Sequence, residues 1–583
     1  MVVVREIDNP SQCEVYDQHS GNVTCAAFSP SGNYVASGDS KGKIRVWAYD
    51  HPEKLLKKEI PAFPMEVTGV AWGPESKRLA AGGGGGNKVV KAFMAMTGSS
   101  LGNDMVGLTK RVLSVDYKPS RPYRIVACGE DFKAAFYEGP PFKFKCTNRD
   151  HTNFANCVRY APDGGTYATV SSDRKVVLYD GKTGEKKGEL TGHGGGVYGC
   201  AWSPDGAKLA TASADKTVKV WDVASMACEA TLACVAPGTK PEVGDMQTAV
   251  LWPRPDLVLS VSLNGAINYL DPSKGDAGPV RVVQGHQSTI ASLSAAPGGG
   301  AIATGAVLGD VCVWDPASGM AGHRVGGKGH RSQAVGVAIS AGGALHSVGW
   351  DDVVKRAAAQ DGADGGFAYG AGGGAALGGQ PRGLAGCAGD EGFAAAVTQH
   401  ALVLIRDGAK VGEVACAWEP TCVAVAADGS EVAVGGADGK VHLFAVAGDA
   451  ATAKGEYGGW GSGAKVTAAA YSPDGAWFIG GDSQKNLVLI DRASGDRKWP
   501  GFWCYHSSRI NGLAFSANSQ FVASAGLDSH IYVWNTKKGM KRHQIKFAHK
   551  HGANCVAWTG DDELVSAGAD GCIKTWKVTL PGV

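Results

Sequence analysis

Between Cys200 and Val223 the chain reads CAWSPDGAKLATASADKTVKVWDV. Apolar and polar residues alternate up to Trp202, and the pattern breaks at Ser-Pro-Asp-Gly. Alternation returns through Leu209 to Ser213, breaks at a turn around Asp215 and resumes in TVKVWD. A fourth, more variable run, CEATLA, follows. Period-two alternation marks half-buried strands, and Gly, Pro and Asp clusters mark turns. The stretch therefore predicts four short strands forming one antiparallel sheet.

The pattern recurs. CVRYAPDGGTYATVSSDRKVVLYD starts at Cys157, AAYSPDGAWFIGGDSQKNLVLID at Ala469 and GLAFSANSQFVASAGLDSHIYVWN at Gly512. Asp173, Asp215, Asp438, Asp528 and Asp570 each stand six residues before an aromatic: Tyr179, Trp221, Phe444, Trp534 and Trp576. Tyr179 and Trp221 are 42 residues apart, as are Trp534 and Trp576. Four strands per unit at a period of about 40–45 residues is the signature of WD repeats. Gly-His pairs at His193, His286 and His330 stand just before new units. The Asp sits in the turn between second and third strands. There it can join a His, a Ser or Thr such as Thr211, and the Trp in a cluster that pairs buried polar groups. A His/Ser/Asp set resembles a hydrolase triad, but recurrence in unit after unit argues for a structural role.

First strands are expected near Val23, Val67, Val112, Asn156, Val197, Thr248, Ile290, Ala334, Arg382, Thr421, Val466, Ile510 and Asn554. VVVREI and CEVYD, ahead of the first of these, read as the last two strands of one more unit. The expected fold is all-β: two tandem seven-bladed WD-repeat β-propellers of four-stranded antiparallel blades. We expect a first propeller over 20–330. A second would cover 331–583 and be completed by 1–19 and by N-terminal strands upstream of Met1, about one repeat's worth, since an open ring leaves a sheet edge bare.

Composition narrows the function classes. The 583 residues carry a formal charge of +2, with 44% hydrophobic and 19% charged residues. This balance suits a soluble globular protein and announces neither nucleic acid nor an anionic membrane as partner. The 85 glycines serve mostly as turn punctuation. The 15 cysteines form no CxxC pair, which argues against a zinc site or a disulfide framework and for a reducing compartment, the cytoplasm. GGGGGNK (Gly82 to Lys88) lacks the GK[ST] ending of a phosphate loop. With no catalytic constellation, no enzyme activity, cofactor or metal is expected. Propellers of this kind present loops to partner proteins.

One stretch departs from the repeat. EGPPFKFKC (Glu138 to Cys146) places two prolines and alternating Phe and Lys where the outermost strand should begin. Period two puts Phe142 and Phe144 on one face and Lys143 and Lys145 on the other. With SRPYR (Ser120–Arg124), SKRLA (Ser76–Ala80), ASGDSKGKIRVW (Ala36–Trp47), YDGKTGEK (Tyr179–Lys186) and SVSLNGAINYLD (Ser260–Asp271), it resembles the actin-interacting protein 1 family. The likeness is strong from about 20 to 290, clear from 418 to 583 and weak between about 340 and 415. It implies a monomeric, non-enzymatic, cofactor-free protein of the actin cytoskeleton. Such a protein binds actin filaments decorated with ADF/cofilin, promotes their severing and disassembly, and helps cap barbed ends. It also implies an actin–cofilin surface on the first propeller, here at Asn87, Glu130, Asp131, Phe142, Lys143 and Phe144. At Asn87 the family's charged loop is replaced by GGGGGNK. The alternative class is a general WD-repeat scaffold, such as a ubiquitin-ligase substrate receptor or a trafficking-coat subunit. Such proteins usually add a helical module or adaptor motif, which this chain lacks.

Overall fold

A computed structural model describes residues 1–10, 13–86, 88–102, 105–235, 240–316, 321–340, 342–359, 366–370, 372–458, 460, 463–499, 503–539 and 541–579. Among the described residues the fold is strands and turns, with two 3-10 turns and no α-helix, so no helix is long and apolar enough to cross a membrane. The chain divides into two compact units, Met1–Val283 and Gln284–Val583.

Each unit is built of antiparallel sheets, each one blade, whose strands pair in chain order except that Ala375–Ala376 pairs back onto Val353–Ala359. The first unit holds blade 1 (23–61), blade 2 (67–94), blade 3 (112–148), blade 4 (155–190), blade 5 (197–233) and blade 6 (247–283), plus the strand pair Val2–Arg5 and Cys13–Tyr16. The second unit holds blade 7 (290–324), blade 8 (334–376), blade 9 (381–415), blade 10 (420–457), blade 11 (466–491), blade 12 (510–545) and blade 13 (553–577). First strands open within a residue of the expected positions, for instance at Val23, Ala155, Gln247 and Ala553. Blades 2 and 11 have three described strands rather than the expected four, blade 13 has three, and blade 8 has five.

The turns explain this regularity. In blade 5 the Ser-Pro-Asp-Gly turn needs a left-handed residue, and Gly206 supplies it at φ 74° without a Cβ penalty. In blade 1 the turn before the third strand approaches the next connection so closely that a Cβ on Gly42 would sit 1.9 Å from the Phe63 carbonyl oxygen. Between blades the core is apolar. Trp202 and Trp221 of blade 5 pack with Val176 and Leu178 of blade 4. Trp202 also donates its indole N–H to the Arg159 carbonyl of that blade, at 3.0 Å. A buried indole nitrogen is thus satisfied across the interface.

The division differs from the expected 20–330 and 331–583. The unit that opens at Ile290 belongs with the later blades. The Asn554 amide of blade 13 donates to the Ile290 carbonyl of blade 7 at 2.8 Å, and the Thr289 hydroxyl donates to the Ala569 carbonyl at 3.1 Å. The strand pair of residues 1–19 lies in the first unit, not the second. Tyr16 stacks on Trp47 of blade 1 at 4.3 Å. Tyr269 of blade 6 donates its hydroxyl to the Ile7 carbonyl at 2.8 Å, and Arg254 pairs with Asp8 at 2.8 Å. An aromatic stack, a satisfied half-buried carbonyl and an ion pair outweigh chain-order symmetry in deciding which edge the pair covers.

Candidate functional site

Two kinds of side-chain arrangement compete for a functional reading: the recurring polar clusters inside blades, and the outer edge of blade 3.

The clusters are built as follows in blade 5. His193 Nδ1–H donates to Asp215 Oδ2 at 2.7 Å, and His193 Nε2 accepts from the Thr211 hydroxyl at 2.7 Å. Trp221 Nε1–H donates to the same Thr211 oxygen at 2.8 Å. This pattern is satisfied with a neutral imidazole protonated on Nδ1. It recurs with His151, Thr169 and Asp173, where Tyr179 instead donates to Asp150 at 3.0 Å. It recurs again with His506, Ser524, Asp528 and Trp534, and with His549, Ser566, Asp570 and Trp576. His19, Ser37, Asp39 and Trp47 form a further copy in blade 1, and His330, Ser347, Asp351 and Tyr369 another in blade 8. Each hydroxyl is buried, donates to the imidazole and accepts from the aromatic where that side chain is Trp. Such an oxygen has no free role as a nucleophile.

Two blades depart. Asp438 of blade 10 meets no buried imidazole. It takes a hydrogen bond from His442 Nε2 at 3.0 Å near the surface, and His442 stacks on Trp418 at 3.8 Å. The expected cluster around Asp438 is therefore replaced by an exposed pair, because no His precedes this blade at the required distance. In blade 7, His286 accepts from Thr304 at 2.7 Å, but Leu308 stands where the Asp would be. Its Nδ1 has no protein partner among the described residues, and burial, then the Arg324 charge, bring its pKa down to about 4.

Carboxylates in the complete clusters are held below their ordinary range. For Asp215, burial opposes ionisation, but hydrogen bonds from His193 and Thr217 more than offset it. Asp173, Asp528 and Asp570 shift the same way, against burial, through hydrogen bonds from backbone amides and from their His partners.

The edge of blade 3 is different. Its outer strand is Lys143–Asn148, so Phe142 lies just before it. Phe142 is fully buried. Its ring meets Tyr117 edge-on at 5.6 Å and shares a core with Met105, Leu108 and Tyr137, while its N–H donates to the Leu101 carbonyl at 2.9 Å. Burying a Phe side chain contributes about 1.5–3 kcal/mol. Phe142 is therefore an anchor and not a contact surface, which corrects its expected place beside Phe144 in the binding set. Alternation fails because the strand starts one residue later and its register slips between Phe136 and Tyr137, leaving Phe144 opposite Tyr137. Phe144 is 37% exposed, leaning on Tyr137 at 6.2 Å. Lys143 and Lys145 are exposed on either side, and among the described residues only Lys145 approaches an acid, Glu138, at 3.7 Å. Edge strands are solvated on more than one side, so residues of both parities can be exposed.

The acidic turn of the same blade is partly engaged. Arg111 reaches Glu66 at 2.9 Å and Glu130 at 3.6 Å. Asp131 accepts from the Thr109 N–H at 3.1 Å, and so pins the segment that carries Met105 and Leu108. It stands six residues before Tyr137, the position of the cluster Asp in other blades. Blade 3 has no His to meet it, and Asp131 Oδ1 and the Tyr137 hydroxyl are buried without protein partners among the described residues. Phe132, held at φ 67°, and Phe154 of the next blade bring their rings to 5.6 Å beside this turn. Asn87 lies outside the described residues. Sequence reasoning missed His19, His151, His506 and His549, although each stands 20–22 residues before its Asp, the spacing that His193 already shows.

The WD domain, G-beta repeat family matches residues 10–48, 142–180, 184–222, 277–315, 502–535 and 541–577. Actin-interacting protein 1-2 of Arabidopsis thaliana is 38% identical over 600 residues, covering 99% of this chain and 94% of its own. WD repeat-containing protein 1-B of Xenopus laevis is 37% identical over 588 residues, at 99% and 93% coverage. The Drosophila melanogaster actin-interacting protein 1 is 37% identical over 583 residues, at 99% and 92%. The chain belongs to the actin-interacting protein 1 family of WD-repeat proteins. In this chain the blade clusters pair their own buried polar groups, and the non-repeating edge of blade 3 is left as the candidate for recognition.

Proposed function

We propose that this protein binds actin filaments carrying ADF/cofilin, cooperates with cofilin to sever and disassemble them, and caps the barbed ends produced. The observation that carries this reading is near end-to-end similarity to relatives named for interaction with actin. Blade 3 supports it physically. A half-exposed aromatic held by a buried one and flanked by lysines suits an interface hot spot opposite an acidic, partly apolar surface. In this reading Phe144 is the anchor, Lys143 contributes charge, and Glu130 and Asp131 form a second contact beside the Arg111 bridge. The protein acts as a monomer in the cytoplasm, on the actin cytoskeleton, without a cofactor.

The test is direct observation of fluorescent actin filaments with cofilin, with and without the protein. Faster filament loss that depends on cofilin is expected. Equal rates with and without the protein would overturn the reading.

A further inference from the structure

Two thiols that neither the blade clusters nor the candidate interface uses meet between neighbouring blades. Cys157 lies on the first strand of blade 4, Ala155–Tyr160, and Cys200 on the first strand of blade 5, Val197–Trp202. Both are buried and free, and their sulfurs are 4.0 Å apart, with the Cys200 S–H directed at Cys157.

A cation sits beside them. Arg159, two residues beyond Cys157, donates from Nη1 to the Ser114 hydroxyl at 2.8 Å, and that hydroxyl points to the Cys157 sulfur at 3.8 Å. Asp116 is the acid nearest this group, and it accepts from the Tyr160 N–H at 2.7 Å. Arg159 is exposed to solvent although its neighbours Val158 and Tyr160 are buried. Water thus reaches the group next to the thiols. The Cys200 hydrogen bond and the Arg159 charge hold the Cys157 thiol below its ordinary pKa against the opposing effect of burial, while Cys200, the donor, is pushed up. A nearby cation and a thiolate-stabilising hydrogen bond are the usual makings of a reactive cysteine, and an adjacent second thiol supplies a resolving partner.

We propose that Cys157 and Cys200 are an oxidation-sensitive pair that a small hydroperoxide converts into a disulfide between blades 4 and 5. The Cys157 thiolate attacks the peroxide oxygen. An S–O bond forms, the O–O bond breaks, and the leaving alkoxide or hydroxide takes up the proton that Cys157 gave to solvent. The Cys200 sulfur then attacks the sulfenic sulfur, forming S–S and breaking S–O. The hydroxide leaves as water with the Cys200 proton. Two thiols and one hydroperoxide give one disulfide, one alcohol (water, when the oxidant is hydrogen peroxide) and one water. The sulfurs must close from 4.0 Å to the disulfide bond length of about 2.05 Å.

The experiment uses the full chain and hydrogen peroxide. Remaining thiols are alkylated and peptides are mapped without reduction. The exposed Cys13, Cys228 and Cys504 serve as internal clocks. A Cys157–Cys200 linked peptide that forms before those three react, and disappears on reduction, is expected. Arg159→Met should slow it about tenfold and Arg159→Lys should restore it, while Cys200→Ser should stop at a trappable Cys157 sulfenic acid. Oxidation of the three exposed cysteines while Cys157 and Cys200 stay free would overturn the proposal. So would linkage of either to a different cysteine. Wild-type mapping decides this alone, whatever the variants do to folding.

Discussion

Blades 3 and 5 have the same four-strand order but spend their residues differently. In blade 5 the imidazole, hydroxyl, carboxylate and indole of His193, Thr211, Asp215 and Trp221 satisfy one another, and the outer strand is ordinary in sequence. In blade 3 the imidazole is missing, Asp131 holds a neighbouring segment instead, and the outer edge carries a buried Phe142 beside an exposed Phe144. Blade 5 shows what the repeat needs in order to fold. Blade 3 shows where a blade can change without losing its inner strands, and that place is the outer edge.

The comparison breaks most readily at Phe142. Phe142→Ala should cost about 3–5 kcal/mol, as for other buried aromatic truncations, whereas Phe144→Ala should cost under about 1 kcal/mol. Denaturant midpoints of the two variants measure the gap, and equal losses would make both rings packing residues. Next in size is the cluster itself. Asp215→Ala leaves the His193 and Thr217 donors unpaired and should cost about 2–3 kcal/mol. Asp438→Ala removes an exposed pair and the hydrogen bond from the Lys440 N–H in the same turn, and should cost no more than about 1 kcal/mol. Similar losses at the two sites would show that the cluster adds nothing beyond its turn.

A pH series sharpens the same point. His286, buried without an Asp partner, has its folded pKa lowered to about 4. Its contribution is complete above the unfolded value of about 6.5 and is lost as pH falls from there toward the folded value, at a slope of up to about 1.4 kcal/mol per pH unit. Asp215 is also depressed, but as an acid. Its contribution is complete above about 3.9 and is lost only as pH falls below that. Midpoints measured against pH should therefore show a shallower fall across the upper window in His286→Asn, the remainder coming from His346, whose pKa burial also brings down to about 4, and an unchanged upper window in Asp215→Ala.

Much of this was legible in the sequence. Turn residues and aromatics at fixed offsets announce every first strand, because each blade solves the same local problem of strand, turn and buried ring. The grouping of blades was not legible. Whether Ile290 joins earlier or later blades is decided by its contact with Asn554, 264 residues away, and periodicity carries no such information. Phe142 and Phe144 were inseparable by alternation because one residue of strand onset and one register slip decide which is buried. Asn268 of blade 6 illustrates the same limit. It bonds Ser262 at 2.9 Å in a buried polar cluster with Gln247, where neither His nor Trp marks the position.

In the proposed function, blade 3 recognises cofilin-bound actin on a scaffold that its own departures leave intact. Co-sedimentation of the full chain with actin filaments, with and without cofilin, tests it most directly when wild type and Phe144→Ala are compared. Wild type should pellet with cofilin-bound filaments, and the variant, with an unfolding free energy within about 1 kcal/mol of wild type, should bind at least about tenfold more weakly, as for an interface anchor. Equal pelleting of the two proteins, or no cofilin-dependent pelleting of wild type, would contradict it.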